Sequence, residues 1–177
     1  MGLFRLFRRI TTLIFMAPVL ILLVLALGVF FTFRHSDPVP VQEAWTMSPQ
    51  QEALAEVAAR CQSVTDICDE VQDMVCKELS FAPHPIGILG ADKANSVGYS
   101  ALMVTALNHA FSKSHPGTRA TQVRGNLSVL GYDLSRPGNA LSSLFGRHDW
   151  VMVTTADGDT LMYDPAVHEL CPVLPVR

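Results

Sequence analysis

Two residues in the C-terminal third of the chain stand where they could share a proton, His148 and Asp164. The sequence between them reads as a β-hairpin. Val151, Val153, Thr154 and Thr155 favour an extended strand. Asp157-Gly158 is a strong turn signal, and Leu161, Met162 and Tyr163 start a return strand that Pro165 ends. Folding at Gly158 brings the histidine that opens one strand beside the aspartate that closes the other. A carboxylate beside an imidazole fixes its tautomer and stabilises its charged form, which is what a general base requires. The plain alternative is a hairpin whose two polar ends face water, and the hairpin alone does not exclude it.

A base needs a nucleophile to serve. Ser100 follows a glycine-containing stretch, Gly98-Tyr99, and precedes an apolar run over residues 101–111 that reads as a helix. A helix start suits a nucleophile because the dipole favours developing negative charge there. It equally suits an ordinary capping serine. Cys76 is a weaker candidate, because it lies in the middle of an amphipathic stripe.

His148-Asp149-Trp150-Val151 followed by Tyr163-Asp164-Pro165 resembles the "His-x-Trp-Val … Asp-Pro" signature of the transglutaminase-like superfamily. Gly98-Tyr99-Ser100 resembles that family's "Gly-x-Cys" at the head of its nucleophile helix, and residues 118–125 resemble the strand after that helix. Order and spacing agree from about residue 65 to residue 165. The resemblance implies an α+β, papain-like fold, with helices followed by a small antiparallel sheet. It implies a triad in which Ser100 is the nucleophile position, His148 the base and Asp164 the orienting carboxylate. Tyr99 and Trp150 would stand at the substrate groove, with Trp150 covering the His-Asp pair. The chemistry implied is acyl transfer or amide hydrolysis on a protein or peptide, without metal or cofactor. The departure is the serine. A thiol with pKa near about 8.5 readily pairs with histidine, whereas a hydroxyl is far less acidic and needs a base and oxyanion hole tuned to it. Activity is therefore expected to be reduced or absent. Two other readings stand beside it, a catalytically inactive pseudoenzyme that binds a partner and a small subunit of a membrane complex.

The remaining elements position this candidate site. Residues 11–33 form 23 residues without a charge, enough at about 1.5 Å per residue to cross a hydrocarbon core of roughly 30 Å. Bulky Phe30, Phe31 and Phe33 end the run where a cleaved signal would carry small residues. Arg5, Arg8 and Arg9 precede it and Arg34 follows. The expectation is a single-pass plasma-membrane anchor, with residues 1–10 cytoplasmic and the following domain periplasmic or extracellular. Residues 34–47, with Pro38 and Pro40, read as a linker to a domain over residues 48–177. Ser48-Pro49-Gln50-Gln51 reads as a capped helix start, with Leu54, Val57, Ala58 and Cys61 as its apolar face. A second helix starts between residues 63 and 66, with Ile67, Val71, Met74, Val75 and Leu79 as its stripe. Residues 81–88, with Pro83 and Pro85, read as loop. Residues 119–124 and 127–134 read as two strands, and residues 135–146 as a loop before His148.

Beyond the anchor there are 16 acidic residues against 10 basic, three of the 13 basic residues preceding it. That balance, with no basic aromatic groove, argues against nucleic-acid binding. In an exported domain the four cysteines suggest disulfides. Cys68 and Cys76 lie about 12 Å apart along one helix, too far to bridge. Two pairings remain: Cys61 with Cys68 and Cys76 with Cys171, or Cys61 with Cys76 and Cys68 with Cys171. Four free thiols are the alternative. No Cys-x-x-Cys pair suggests zinc.

Overall fold

The computed structural model describes residues 33–43, 45–82, 93–129, 132–136 and 148–170. The chain divides into Met1–Thr32 and Phe33–Arg177. The expected anchor, apart from Phe33, lies outside the described residues, as do Pro83, Pro85, most of the loop before His148, and Cys171. Among the described residues no helix is long and apolar enough to cross a membrane.

The described part of the second unit is mixed α/β, with four helices and an antiparallel sheet. Helix α1 (Pro49–Ala58) starts as its sequence dictates. The Ser48 hydroxyl accepts from the Gln51 amide at 3.2 Å, and the Gln51 side chain accepts from the Ser48 amide at 3.0 Å. Its buried face differs from the expected one. Gln51, Ala55 and Ala58 turn inward, while Leu54 and Val57 are exposed. Two alanines let the helix approach its neighbours closely, and that approach outweighs the larger residues one position away. Helix α2 (Val64–Glu78) is capped by Ser63 and buries the expected stripe of Ile67, Val71, Met74 and Val75, with Leu79 just past its end, and Cys68 besides.

Helix α3 (Ser96–Ser114) begins four residues before Ser100. Its cap is Asn95, whose side-chain oxygen accepts from the amides of Val97 and Gly98. Gly98 is therefore a packing position rather than loop: a Cβ there would lie 2.6 Å from the Ala94 Cβ. Leu102, Met103, Ala106, Leu107, Ala110 and Phe111 bury against α1, α2 and the sheet.

The main sheet runs β1 (Phe33–Pro40), β4 (Arg119–Val129), β6 (His148–Thr154) and β7 (Thr160–Tyr163), antiparallel throughout, with β5 (Tyr132–Asp133) hairpinned onto β4. A two-residue parallel pair, β2 (Ser80–Phe81) and β3 (Lys93–Ala94), stands apart. The expected β6–β7 hairpin forms, in a register from Val151↔Tyr163 to Thr154↔Thr160, with Gly158 at φ 91° in its turn.

Two expectations are corrected here. The segment read as a linker contains all of β1 but Phe33, and β1 pairs with β4 from Phe33↔Val129 to Pro40↔Val123. Its prolines are tolerated because β1 is an edge strand with an irregularity between Ser36 and Val39, where Asp37 takes φ 55°. The strand expected over residues 119–124 does not stop at Gly125 but runs on to Val129, and β5 occupies part of the rest of the second expected strand. Gly125 stays in the ladder opposite His148. It is required because a Cβ there would meet the Ser36 carbonyl at 2.4 Å, the Trp150 ring at 2.6 Å and the Asp37 carbonyl at 2.9 Å. A fourth helix, α4 (Pro165–Leu170), follows β7 directly. Asp164 opens it, its Oδ1 accepting from the Val167 amide at 3.0 Å.

Candidate functional site

The site grows from the alternation of β6. His148 and Trp150 project from one face, opposite Gly125 and Val123 of β4. Asp149 and Val151 project from the other, and Val151 joins the core with α3. Register Val151↔Tyr163 places Asp164 level with Trp150, on the His148 face. His148 Nε2 donates to Asp164 Oδ2 at 2.5 Å, and both residues are buried. Trp150 stacks on His148 with ring centres 6.4 Å apart and planes 20° apart. The structure thus brings together the predicted base, carboxylate and cover.

A third group converges on the same carboxylate. His35 of β1 donates from Nε2 to Asp164 Oδ2 at 2.8 Å, and its side chain is fully enclosed. Its ring lies 4.3 Å from that of Trp150 and 5.9 Å from that of His148. Burial alone would push the Asp164 carboxyl up, but the charge and hydrogen bond of His148, then those of His35, hold it well below the usual carboxylate range.

Ser100 stands elsewhere in the network. Continuing the β6–β7 register, Asp149 would pair with residue 165. That residue is proline, has no N–H to offer, and turns the chain into α4. Two serines one turn apart on α3 complete the edge instead. Ser100 Oγ donates to the Asp149 carbonyl at 2.9 Å, and the Asp149 amide donates to Ser96 Oγ at 3.4 Å. Ser100 is fully buried and, with Asn95 as cap, is not an N-cap residue. Tyr99, expected at a substrate groove, lies in the core with its hydroxyl donating to the Leu79 carbonyl at 2.8 Å. A side chain one residue before Ser100 on the helix points into the α2–α3 contact rather than outward.

No family model matches the chain, and no curated protein matches it. Among solved structures it is similar to the periplasmic domain of TgpA from Pseudomonas aeruginosa, at 17% identity and a TM-score of 0.49. That similarity covers 74% of this chain and 46% of the other.

On the helix face of the sheet, Asp149 is fully buried and receives Gln122 Nε2 at 2.8 Å and Arg124 through Nε at 2.6 Å and Nη2 at 2.9 Å. Neither this cluster nor His35 was singled out from sequence. Strand alternation in the His-x-Trp motif was a usable signal for Asp149, since the residue between two same-face positions must face the helix. No local signal marks His35.

Among the described residues Cys61, Cys68 and Cys76 are free thiols, which corrects the expected pairing of Cys61 with Cys68 or Cys76; the pairings expected with Cys171 lie outside the described residues. The Cys76 thiol donates to the Pro165 carbonyl at 3.4 Å. Burial pushes the Cys68 and Cys76 thiols up to about 12, which makes them poor nucleophiles at neutral pH.

His35, His148 and Asp164 are the trio among the described residues whose donor atoms, all within 4.8 Å of one another, could hold a metal ion. Their geometry fits hydrogen bonding better. A metal about 2.0–2.2 Å from each donor holds the donors roughly 3 Å or more apart, wider than the His148–Asp164 contact. A ligating imidazole also normally donates its second N–H, and His35 Nδ1 is buried with no acceptor among the described residues.

Proposed function

We propose that this chain is a membrane-anchored, exported transglutaminase-like domain that engages a protein or peptide, with acyl transfer reduced or absent because Ser100 occupies the nucleophile position. The observation that carries the reading is the buried His148–Asp164 contact, which joins the two ends of the sequence motif. Nε2 of His148 is held by Asp164, so a nucleophile served by this imidazole would exchange its proton with Nδ1.

The test is Ser100→Cys. The new thiol should react with iodoacetamide faster than Cys61, Cys68 or Cys76 at neutral pH, and the excess rate should vanish when His148→Ala is added to Ser100→Cys. An introduced thiol no faster than the other three, or one indifferent to His148, overturns the triad.

A second reading, a catalytically inactive domain that binds its partner without chemistry, is favoured by the engagement of Ser100 with the Asp149 carbonyl. A buried hydroxyl spent on the main chain is a structural donor. Ser100→Ala should then cost about 1–3 kcal/mol in urea unfolding, because it leaves a buried carbonyl without a partner. A loss below about 0.5 kcal/mol, the range of an inconsequential substitution, would remove this reading.

A further inference from the structure

We propose that His35 is a positioning residue of this site, fixing His148 through their shared partner Asp164. The proposal deepens the triad reading and rests on it. Asp164 is held at three points: Oδ1 accepts from the Val167 amide, and Oδ2 accepts from the Nε2 atoms of both His148 and His35. A carboxylate held by one imidazole and one amide could still swing about its side-chain torsion. The third bond comes from another strand and closes that freedom.

His35 also fills the space beside Trp150, the residue stacked on His148. Its ring therefore orients the dyad by a hydrogen bond and by packing at once. The β1 main chain at Ser36 and Asp37 is seated directly over Gly125, the position opposite His148, so the strand that delivers His35 is itself fitted to the site. Charged and titratable groups around the trio come from several elements. Cys76 of α2 lies within electrostatic reach of Asp164, and of Glu169 of α4 and Asp73 of α2 as well, and Asp149 with Arg124 is paired on the opposite sheet face.

The test separates hydrogen bond from packing. His35→Phe keeps a ring against Trp150 and removes the donor, while His35→Gln keeps an N–H near the place of Nε2. In the natural chain, proton NMR with ¹⁵N-labelled histidine should show two low-field Nε2–H resonances, one from each imidazole. His35→Phe should delete one and move the other further downfield, because Asp164 Oδ2 is no longer shared. In the Ser100→Cys background, His35→Phe should lower the His148-dependent labelling rate by about tenfold, part of the roughly 10²–10⁴ that a positioned base supplies, and His35→Gln should restore it.

If His35→Phe does not fold, His35→Asn serves, since its shorter amide falls short of Asp164 and should give the same losses. An unmoved His148 resonance with unchanged labelling shows that His35 only packs. Absence of both Nε2–H resonances, with stoichiometric zinc in the purified natural chain, shows a metal site instead. Either result overturns the proposal. Labelling that ignores His148 as well as His35, with the two resonances still linked, overturns the triad reading and not the His35–Asp164–His148 connection.

Discussion

Asp164 is the residue on which the site turns. It caps α4 with one oxygen and binds two imidazoles with the other. Its carboxyl is held below the ordinary range against the effect of burial, by His148 first and His35 second. A depressed folded-state value means that the ionised group stabilises the fold above the unfolded pKa of about 3.9, and that this stability is lost as pH falls through the folded value. Asp164→Asn should therefore cost about 3–5 kcal/mol at pH 7, the cost of breaking a buried pair. The gap between variant and natural chain should narrow steadily below about pH 4. Urea unfolding of both chains at pH 7 and pH 3 checks this, and a gap of equal size at the two pH values would contradict it. His148 and Asp164 were legible in sequence because one short hairpin brings them together. His35 was not, because it lies 129 residues from Asp164, and a histidine among prolines carries no periodic signal.

At the scale of elements, three pieces of local turn and cap chemistry were read correctly. The Ser48 capping box, the Ser63 start and the Gly158 hairpin all form. Two other boundaries were not. Asn95 rather than Ser100 starts α3, and Gly125 continues β4 instead of dividing it. Gly125 shows why. A glycine between two apolar runs reads as a break, but here it makes room for the β1 backbone and the Trp150 ring. Gly125→Ala should lower stability by about 1–3 kcal/mol, as overpacking does, because two of the three obstructing atoms are main-chain oxygens that move only with β1. The loosened β1 should appear as faster amide hydrogen exchange over residues 33–40 while α2 keeps its protection. Unchanged exchange in β1 would mean that Trp150 alone absorbs the added methyl.

At the scale of the molecule, a single antiparallel sheet collects strands from both ends of the described chain. The first strand, β1, lies beside β4, and the last hairpin, β6–β7, lies on the other side of β4. The site sits where these arrivals meet. The uncharged run over residues 11–33 is the remaining large-scale feature, and a protein held by such a run stays with the bilayer when peripheral contacts are stripped. Alkaline carbonate extraction of cells expressing the full chain should leave it in the membrane pellet. A soluble form starting near residue 34 would contradict anchoring.

Sequence alone determined what depends on neighbours along the chain: the α2 stripe, the caps at Ser48 and Ser63, the hairpin turn, and with the hairpin the meeting of His148 and Asp164. Tertiary structure alone decided three things. It made a strand of residues read as linker, because β4 offered an edge to pair with. It set His35 on the carboxylate, because that pairing carries the residue across the sheet. And it gave the Ser100 hydroxyl to the Asp149 carbonyl, because the strand that would have satisfied that carbonyl ends in a proline. In the last two cases a buried polar group had to find a partner, and that partner is distant in sequence and close only once the sheet has closed.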